Sequence, residues 1–77
     1  MRIKVKLLAS LAEQFGRREV DVDASAGATA EQAWAQVTGG VPMPPNTLVA
    51  INKEYAERRK PLADGDEVAF FPPVTGG

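Results

Sequence analysis

The 77-residue sequence contains no cysteine and no histidine. Disulfide bonds and thiolate metal sites are therefore excluded, as are catalytic arrangements that need a histidine base or a cysteine nucleophile. Long apolar runs are also missing, so no segment is predicted to span a bilayer. Lys4, Lys6 and Glu13 interrupt the N-terminal segment too early for a signal peptide. Because the absence of cysteine fits a reducing compartment, we expect a soluble cytoplasmic protein.

Neither sign of charge dominates, since nine Lys and Arg residues are balanced by ten Asp and Glu residues, for a formal net charge of −1. This balance lacks the basic footprint of a nucleic-acid-binding protein. The length allows one small domain, and a hydrophobic fraction of 44% is ordinary for a domain that folds without a metal ion. We therefore interpret the acidic run D-G-D-E, residues 64–67, as a turn around Gly65 and not as a metal site.

Alternation of apolar and polar residues predicts five strands, at residues 2–8, 18–22, 48–52, 55–56 and 67–71. Leu8 does not fit the first of these strands, because it falls on the polar side. The strand that follows the main helix is expected to run parallel to its neighbour in the sheet, since crossover connections are right-handed.

Two capping boxes predict where the helices begin. Ser10 with Glu13 opens a short helix, and Thr29 with Gln32 opens the main helix. The main helix has an apolar side of four residues at helical spacing, which we assign to the core: Ala30, Ala33, Trp34 and Val37. Its end is predicted at the tetrapeptide V-T-G-G, because Gly39 can adopt the left-handed conformation without steric cost.

The order strand, strand, helix, strand, short strand, strand predicts an α+β protein with a β-grasp fold. Its mixed sheet of four to five strands would carry the main helix across one face and leave the other face open. The predicted domain covers residues 1–72. Residues 73–77 are expected to form a flexible, extended C-terminal tail.

The tetrapeptide V-T-G-G recurs at residues 74–77, directly after Pro72 and Pro73. The two prolines are expected to keep the chain extended as it leaves the last strand. Two glycines, which lack a Cβ, can then bring a terminal carboxylate into a narrow pocket. A carboxylate is a poor electrophile and a weak nucleophile until it is adenylated. The pattern therefore favours a tail on which another enzyme acts.

Residues 64–77, D-G-D-E-V-A-F-F-P-P-V-T-G-G, resemble the C-terminal signature of the small, sulfur-carrying subunit of molybdopterin synthase. This family, of MoaD/ThiS type, groups with the thiamine sulfur carriers and ubiquitin among β-grasp proteins that end in Gly-Gly. The resemblance implies a sulfur carrier in molybdenum cofactor biosynthesis, which is not an enzyme by itself. No permanently bound cofactor is implied.

In the mechanism that the resemblance implies, a ubiquitin-activating-type adenylyltransferase uses ATP to adenylate the carboxylate of Gly77. A persulfide donor then supplies sulfur, which leaves a glycyl thiocarboxylate. The tail enters the large subunit of molybdopterin synthase, in a heterotetramer, and passes its sulfur to cyclic pyranopterin monophosphate. Two such transfers form the dithiolene of molybdopterin.

The resemblance also implies that an open face of the sheet binds the partner. Strand parity places Val68 and Phe70 toward the core and Phe71 outward, on the same side as Leu8. The residues predicted to bind the partner are those of this face and of the tail: Leu8, Tyr55, Phe71, Pro73, Val74, Thr75 and Gly76.

Three alternatives remain open from the sequence. The chain could carry sulfur for thiamine, cysteine or thio-tRNA synthesis, which requires the same chemistry at Gly77. It could be a ubiquitin-like modifier that is joined through Gly77 to lysines of target proteins. It could also be a β-grasp interaction module whose tail has no function.

Overall fold

The computed structural model describes residues 1–73, which form one mixed sheet and two helices. The strands are β1 (Arg2–Leu7), β2 (Glu19–Asp23), β3 (Leu48–Ile51), β4 (Glu54–Ala56) and β5 (Glu67–Phe71), and the helices are α1 (Ser10–Phe15) and α2 (Ala30–Thr38). The strand order across the sheet is β2-β1-β5-β3-β4. The predicted β-grasp architecture is confirmed. Within residues 1–73, neither helix has the length and apolar character needed to cross a membrane.

The first and last strands, β1 and β5, lie side by side in parallel at the centre of the sheet, and every other neighbouring pair is antiparallel. The prediction that the strand after α2 runs parallel to its neighbour is therefore wrong. Strand β3 has the same direction as β2, but β1 and β5 lie between them. The crossover through α2 thus spans two intervening strands.

The core lies between one face of the sheet and α2. The inward residues of β1, namely Ile3, Val5 and Leu7, are at most 1% exposed, as the alternation predicts. The ring of Trp34 packs edge-on against Phe70, with the centroids 5.2 Å apart. Its indole Nε1 donates a hydrogen bond of 2.7 Å to the carbonyl oxygen of Val41, so the buried polar atom is satisfied.

The two predicted helix starts have different outcomes. Thr29 caps α2 as expected: its Oγ1 accepts from the Gln32 backbone N–H at 3.2 Å, and its own N–H donates to Gln32 Oε1 at 2.8 Å. The capping box predicted at Ser10 is wrong, because α1 begins at Ser10 and the N-cap is Ala9, without a side-chain hydrogen bond. Ala9 has a φ of 52°, so the chain turns sharply there and Ser10 already lies inside the first turn.

The difference between the two helix starts can be measured. We expect Thr29→Ala to lower the free energy of unfolding by about 1 kcal/mol, because the Gln32 N–H loses its side-chain acceptor. Ser10→Ala is the matched control and should change the free energy by less than about 0.5 kcal/mol. Urea denaturation followed by circular dichroism gives both values. Equal losses in the two variants would contradict the assignment of the caps.

Candidate functional site

The face of the sheet opposite α2 carries a group of apolar side chains at one end. Register pairs Leu48 with Phe71 and Ala50 with both Ala69 and Tyr55, so all five point to this open face. We call these residues of β3, β4 and β5 the apolar patch: Leu48, Ala50, Tyr55, Ala69 and Phe71. Tyr55 is 78% exposed, which is unusual for a large side chain within a strand.

Two aromatic rings meet within the apolar patch. The ring centroids of Tyr55 and Phe71 are 5.9 Å apart, with 46° between the ring planes. Their strands lie on opposite sides of β3, about 10 Å apart at the backbone, so the rings must lean toward each other above the middle strand. This is possible because the residue opposite Tyr55 is Ala50, whose methyl group leaves room above it. The two rings therefore connect the apolar residues of β4 and β5 across β3.

Leu8 lies just beyond the end of β1 and is 42% exposed. Its backbone N–H donates to the carbonyl oxygen of Phe70 at 3.0 Å, which continues the contact between β1 and β5 by one residue. Leu8 is thus next to the strand that ends in Phe71. Three of the predicted partner-binding residues, Leu8, Tyr55 and Phe71, are exposed or partly exposed near the end of β5, and their role in partner binding stays a prediction.

The chain leaves β5 directly beside the apolar patch. Phe71 is followed by Pro72, which is half-buried, and Pro73, which is exposed. The remaining predicted site residues lie outside the described residues: Val74, Thr75, Gly76 and Gly77. Pro72 and Pro73, which lead to the Gly-Gly motif, therefore lie in the same region of the surface as the apolar patch. We call these two prolines the root of the Gly-Gly segment.

The other half of the open face is charged and internally paired. Lys6 Nζ lies 3.2 Å from Glu67 Oε1 and 4.0 Å from Glu19 Oε1, and Arg2 Nε lies 3.3 Å from Asp23 Oδ1. These ion pairs lie at the surface, exposed or partly exposed, and add little stability. They mark where the apolar patch ends, because a partner that covered them would have to desolvate several charges.

The acidic run at residues 64–67 forms a hydrogen-bonded turn that leads into β5, and the predicted turn around Gly65 is confirmed. Asp64 Oδ1 accepts from the backbone N–H of Arg2 at 2.7 Å, and Asp66 Oδ2 accepts from that of Ala63 at 2.8 Å. Asp66 Oδ1 also accepts from the Asn52 side-chain amide at 2.9 Å. The carboxylates therefore fix the turn before β5. Among residues 1–73, no group of three or more acidic side chains could hold a metal ion.

Sequence reasoning missed three members of the apolar patch, namely Leu48, Ala50 and Ala69. The signal was present, because alternation along residues 48–52 places Leu48 and Ala50 on the face opposite to Val49 and Ile51, and alternation along residues 67–71 places Ala69 on the face of Phe71. What parity could not supply was the strand order. Only the placement of β3 between β4 and β5 brings these residues together with Tyr55 and Phe71.

A model of the ThiS family matches residues 5–77 of the chain. The molybdopterin synthase sulfur carrier subunit of Chlamydomonas reinhardtii is 35% identical over 83 aligned positions, which cover 100% of both chains. The corresponding subunit of Escherichia coli is 63% identical over 30 residues, which are 39% of this chain and 37% of the relative.

A relative with a different name is similar over almost the whole chain. Small archaeal modifier protein 1 of Haloferax volcanii is 37% identical over 84 positions, which cover 94% of this chain and 97% of the relative. Its crystal structure superimposes with a TM-score of 0.82 at 34% identity, over 100% of both chains. Both comparisons support the β-grasp fold.

The apolar patch predicts weak self-association when no partner is present, because the free energy falls when contiguous apolar surface is removed from water. We expect the weight-average sedimentation coefficient to rise with protein concentration. Phe71→Asp should abolish this rise. Val41→Asp, which places the same charge at an exposed apolar residue outside the patch, should not. A wild-type chain that stays monomeric at high concentration would contradict the prediction.

Proposed function

Because this chain belongs to the ThiS family of ubiquitin-like sulfur carriers, we propose that it carries sulfur for molybdopterin synthase. The sulfur is held as a thiocarboxylate on Gly77 and is delivered to cyclic pyranopterin monophosphate inside the large subunit. The proposal requires Gly77 to bear the terminal carboxylate of the mature protein. It also places the chain in the cytoplasm, together with the enzymes that activate it.

One observation carries the proposal: a surface aromatic pair, of exposed Tyr55 and partly exposed Phe71, lies directly before the prolines that lead to the Gly-Gly motif. Tyr55 and Phe71 form an apolar surface with their centroids 5.9 Å apart, and the next residues of the chain are the two prolines. A protein that bound the apolar patch would hold this root in a fixed position. Fixing the root lowers the conformational entropy that is lost when the following residues enter a pocket. Docking and tail insertion would therefore support each other.

The proposed chemistry takes place on the carboxylate of Gly77. Attack of a carboxylate oxygen on the α-phosphorus of ATP releases pyrophosphate and forms an acyl adenylate, in which the carbonyl carbon is a good electrophile. The terminal sulfur of a persulfide attacks this carbon, and AMP leaves. A thiol then cleaves the sulfur–sulfur bond, which leaves the thiocarboxylate and a disulfide on the donor.

The composition supports a proposal in which other proteins supply the catalytic groups and this chain supplies only its carboxylate. The chain has no cysteine to hold a persulfide and no histidine to act as a base near neutral pH. The adenylyltransferase, the persulfide donor and the large subunit would therefore supply the catalytic groups. In this proposal ATP is a substrate of the adenylyltransferase, and the chain itself holds no cofactor permanently.

A second candidate function is covalent modification of other proteins through Gly77. The observation in its favour is the 37% identity to the small archaeal modifier protein of Haloferax volcanii. Adenylation of Gly77 is common to both candidates. They differ in the final acceptor, which is a sulfur acceptor in one case and a lysine amine in the other.

The sulfur chemistry is tested by the intact mass of the purified chain after incubation with the adenylyltransferase, ATP and a persulfide donor. We expect a mass increase equal to the replacement of one oxygen by sulfur. A chain that lacks Gly76 and Gly77 is the control and should show no increase, and neither should a reaction without ATP. An unchanged mass, with Gly77 confirmed as the last residue and a known carrier converted in parallel, would refute the proposal.

The acceptor is identified in cells that lack the gene for this chain. Loss of molybdenum-enzyme activity, restored by the wild-type chain and not by the chain without Gly76 and Gly77, supports the molybdopterin pathway. A requirement for thiamine would instead assign the carrier to thiamine synthesis. Conjugates of high mass on denaturing gels, dependent on Gly77, would support the protein modifier.

Docking through the apolar patch is tested with the purified large subunit of molybdopterin synthase. We expect Phe71→Asp to weaken binding by at least about 2 kcal/mol, or about thirtyfold in Kd, because a carboxylate would be buried in an apolar contact. Val41→Asp should leave the Kd unchanged. If Phe71→Asp binds like the wild type while its fold is intact, the apolar patch is not the docking surface.

A further inference from the structure

A groove of about 640 Å³ lies at the end of the sheet where β1 passes into α1. Five of the residues that line it are apolar or small, and we call them the floor: Leu7, Leu8, Ala9, Ala12 and Gly16. The other three lining residues are charged, and we call them the rim: Glu13, Arg17 and Arg18. The apolar part of this lining suits an apolar side chain supplied by another molecule.

Backbone hydrogen bonds hold the groove beside the end of β5. The N–H of Leu7 donates to the carbonyl oxygen of Arg18 at 2.9 Å, which ties the rim to β1. The N–H of Leu8 donates to the carbonyl oxygen of Phe70 at 3.0 Å, which ties the floor to β5. In the strand order β2-β1-β5-β3-β4, the groove lies on the β1 side of β5 and the apolar patch on the β3 side. The chain leaves the domain between them.

The rim of the groove carries net positive charge. Arg17 and Arg18 are exposed, and within residues 1–73 neither forms an ion pair. By contrast, Arg2 and Arg58 are both paired, Arg58 with Glu31 at 3.6 Å. Two guanidinium groups against the single carboxylate of Glu13 leave the rim suited to an acidic surface.

An extended segment after β5 would carry the reacting carboxylate away from the groove. Six residues, 72–77, follow β5, and an extended chain of that length spans roughly 20 Å. When the segment enters a partner's pocket in this form, Gly77 lies well beyond the domain. The groove can then contact only the body of the partner that faces the root of the segment.

We propose that this groove is a second docking element for the large subunit of molybdopterin synthase, and that it accepts an apolar side chain of that subunit flanked by carboxylates. The inference rests on the proposed function. A protein that encloses the segment after β5 meets the domain on both sides of that strand. The apolar patch supplies the contact on one side, and the groove supplies a chemically different contact on the other.

The experiment compares two double charge reversals in binding to the purified large subunit. Arg17→Glu with Arg18→Glu changes the rim, and Lys53→Glu with Lys60→Glu makes the same change in net charge at exposed positions outside the groove. We expect the rim variant to bind about tenfold more weakly at low salt, mainly through slower association, and the difference to shrink as salt screens the charges. The matched variant should bind within about twofold of the wild type.

A third variant distinguishes direct contact within the groove from long-range electrostatic attraction. Ala12→Met fills the floor without changing charge, and we expect it to weaken binding to a similar extent at all salt concentrations. Urea denaturation of each variant confirms that the domain is folded. Weaker binding by both the rim and the floor variants, with the matched variant unaffected, supports the proposal.

Two outcomes would overturn the inference and keep the proposed function. In one, the rim and floor variants bind the large subunit like the wild type while Phe71→Asp loses binding. In the other, the loss appears only with the adenylyltransferase, which would assign the groove to a different partner. If the wild-type chain does not bind the large subunit at all, the proposed function fails and the inference fails with it.

Discussion

The parallel contact between β1 and β5 brings the first and the last strands of the domain together at the centre of the sheet. Both proposed elements of the binding surface, the apolar patch and the groove, depend on this contact. The hydrogen bond from Leu8 to Phe70 places the start of α1 beside the strand that leads to the Gly-Gly segment. Because β5 also pairs with β3, the same strand carries the aromatic pair on its other side. Residues more than sixty positions apart in the sequence thus share one surface.

One helix layer accounts for the division of the sheet into a buried and an open face. Helix α2 covers the inward side chains, and the Trp34 ring fills the space between the helix and β5. Nothing among residues 1–73 covers the opposite face, so its chemistry is set by the outward residues alone. On β1 and β2 these residues are charged and pair with each other. On β3 and β4, and on β5 beyond Glu67, which pairs with Lys6, they are apolar, and the small Ala50 allows two rings to approach above it.

Most of this fold could be predicted from the sequence, because its signals are local. Period-two alternation fixes which side of β1 and β5 is buried, and the side chains of Thr29 and Gln32 define the start of α2. The failures concern non-local geometry. At α1, Leu8 is hydrogen-bonded to β5 and the chain turns at Ala9 directly after it, so that Ser10 lies inside the first turn; no residue near Ser10 signals this path. The partners of β3 likewise depend on how many strands the crossover spans.

The candidate site, like the fold, could be predicted from the sequence only in part. The Gly-Gly motif and the outward parity of Phe71 are visible in the sequence. The contact between Phe71 and Tyr55, and the groove beside Leu8, require the strand order and the path of the chain through α1. Parity alone could place a residue on the open face, but it could not say which residues on different strands would meet there.

The only tryptophan of the chain is 1% exposed and lies on the helix side of the sheet, packed against Phe15 and Phe70 with its indole N–H bonded. Its fluorescence therefore reports the integrity of the core, while the open face has Tyr55 as its own chromophore. A ligand that covers the open face should perturb the tyrosine signal and leave the tryptophan emission maximum unchanged. The protein thus carries two separate optical probes, one for folding and one for docking, without any added label.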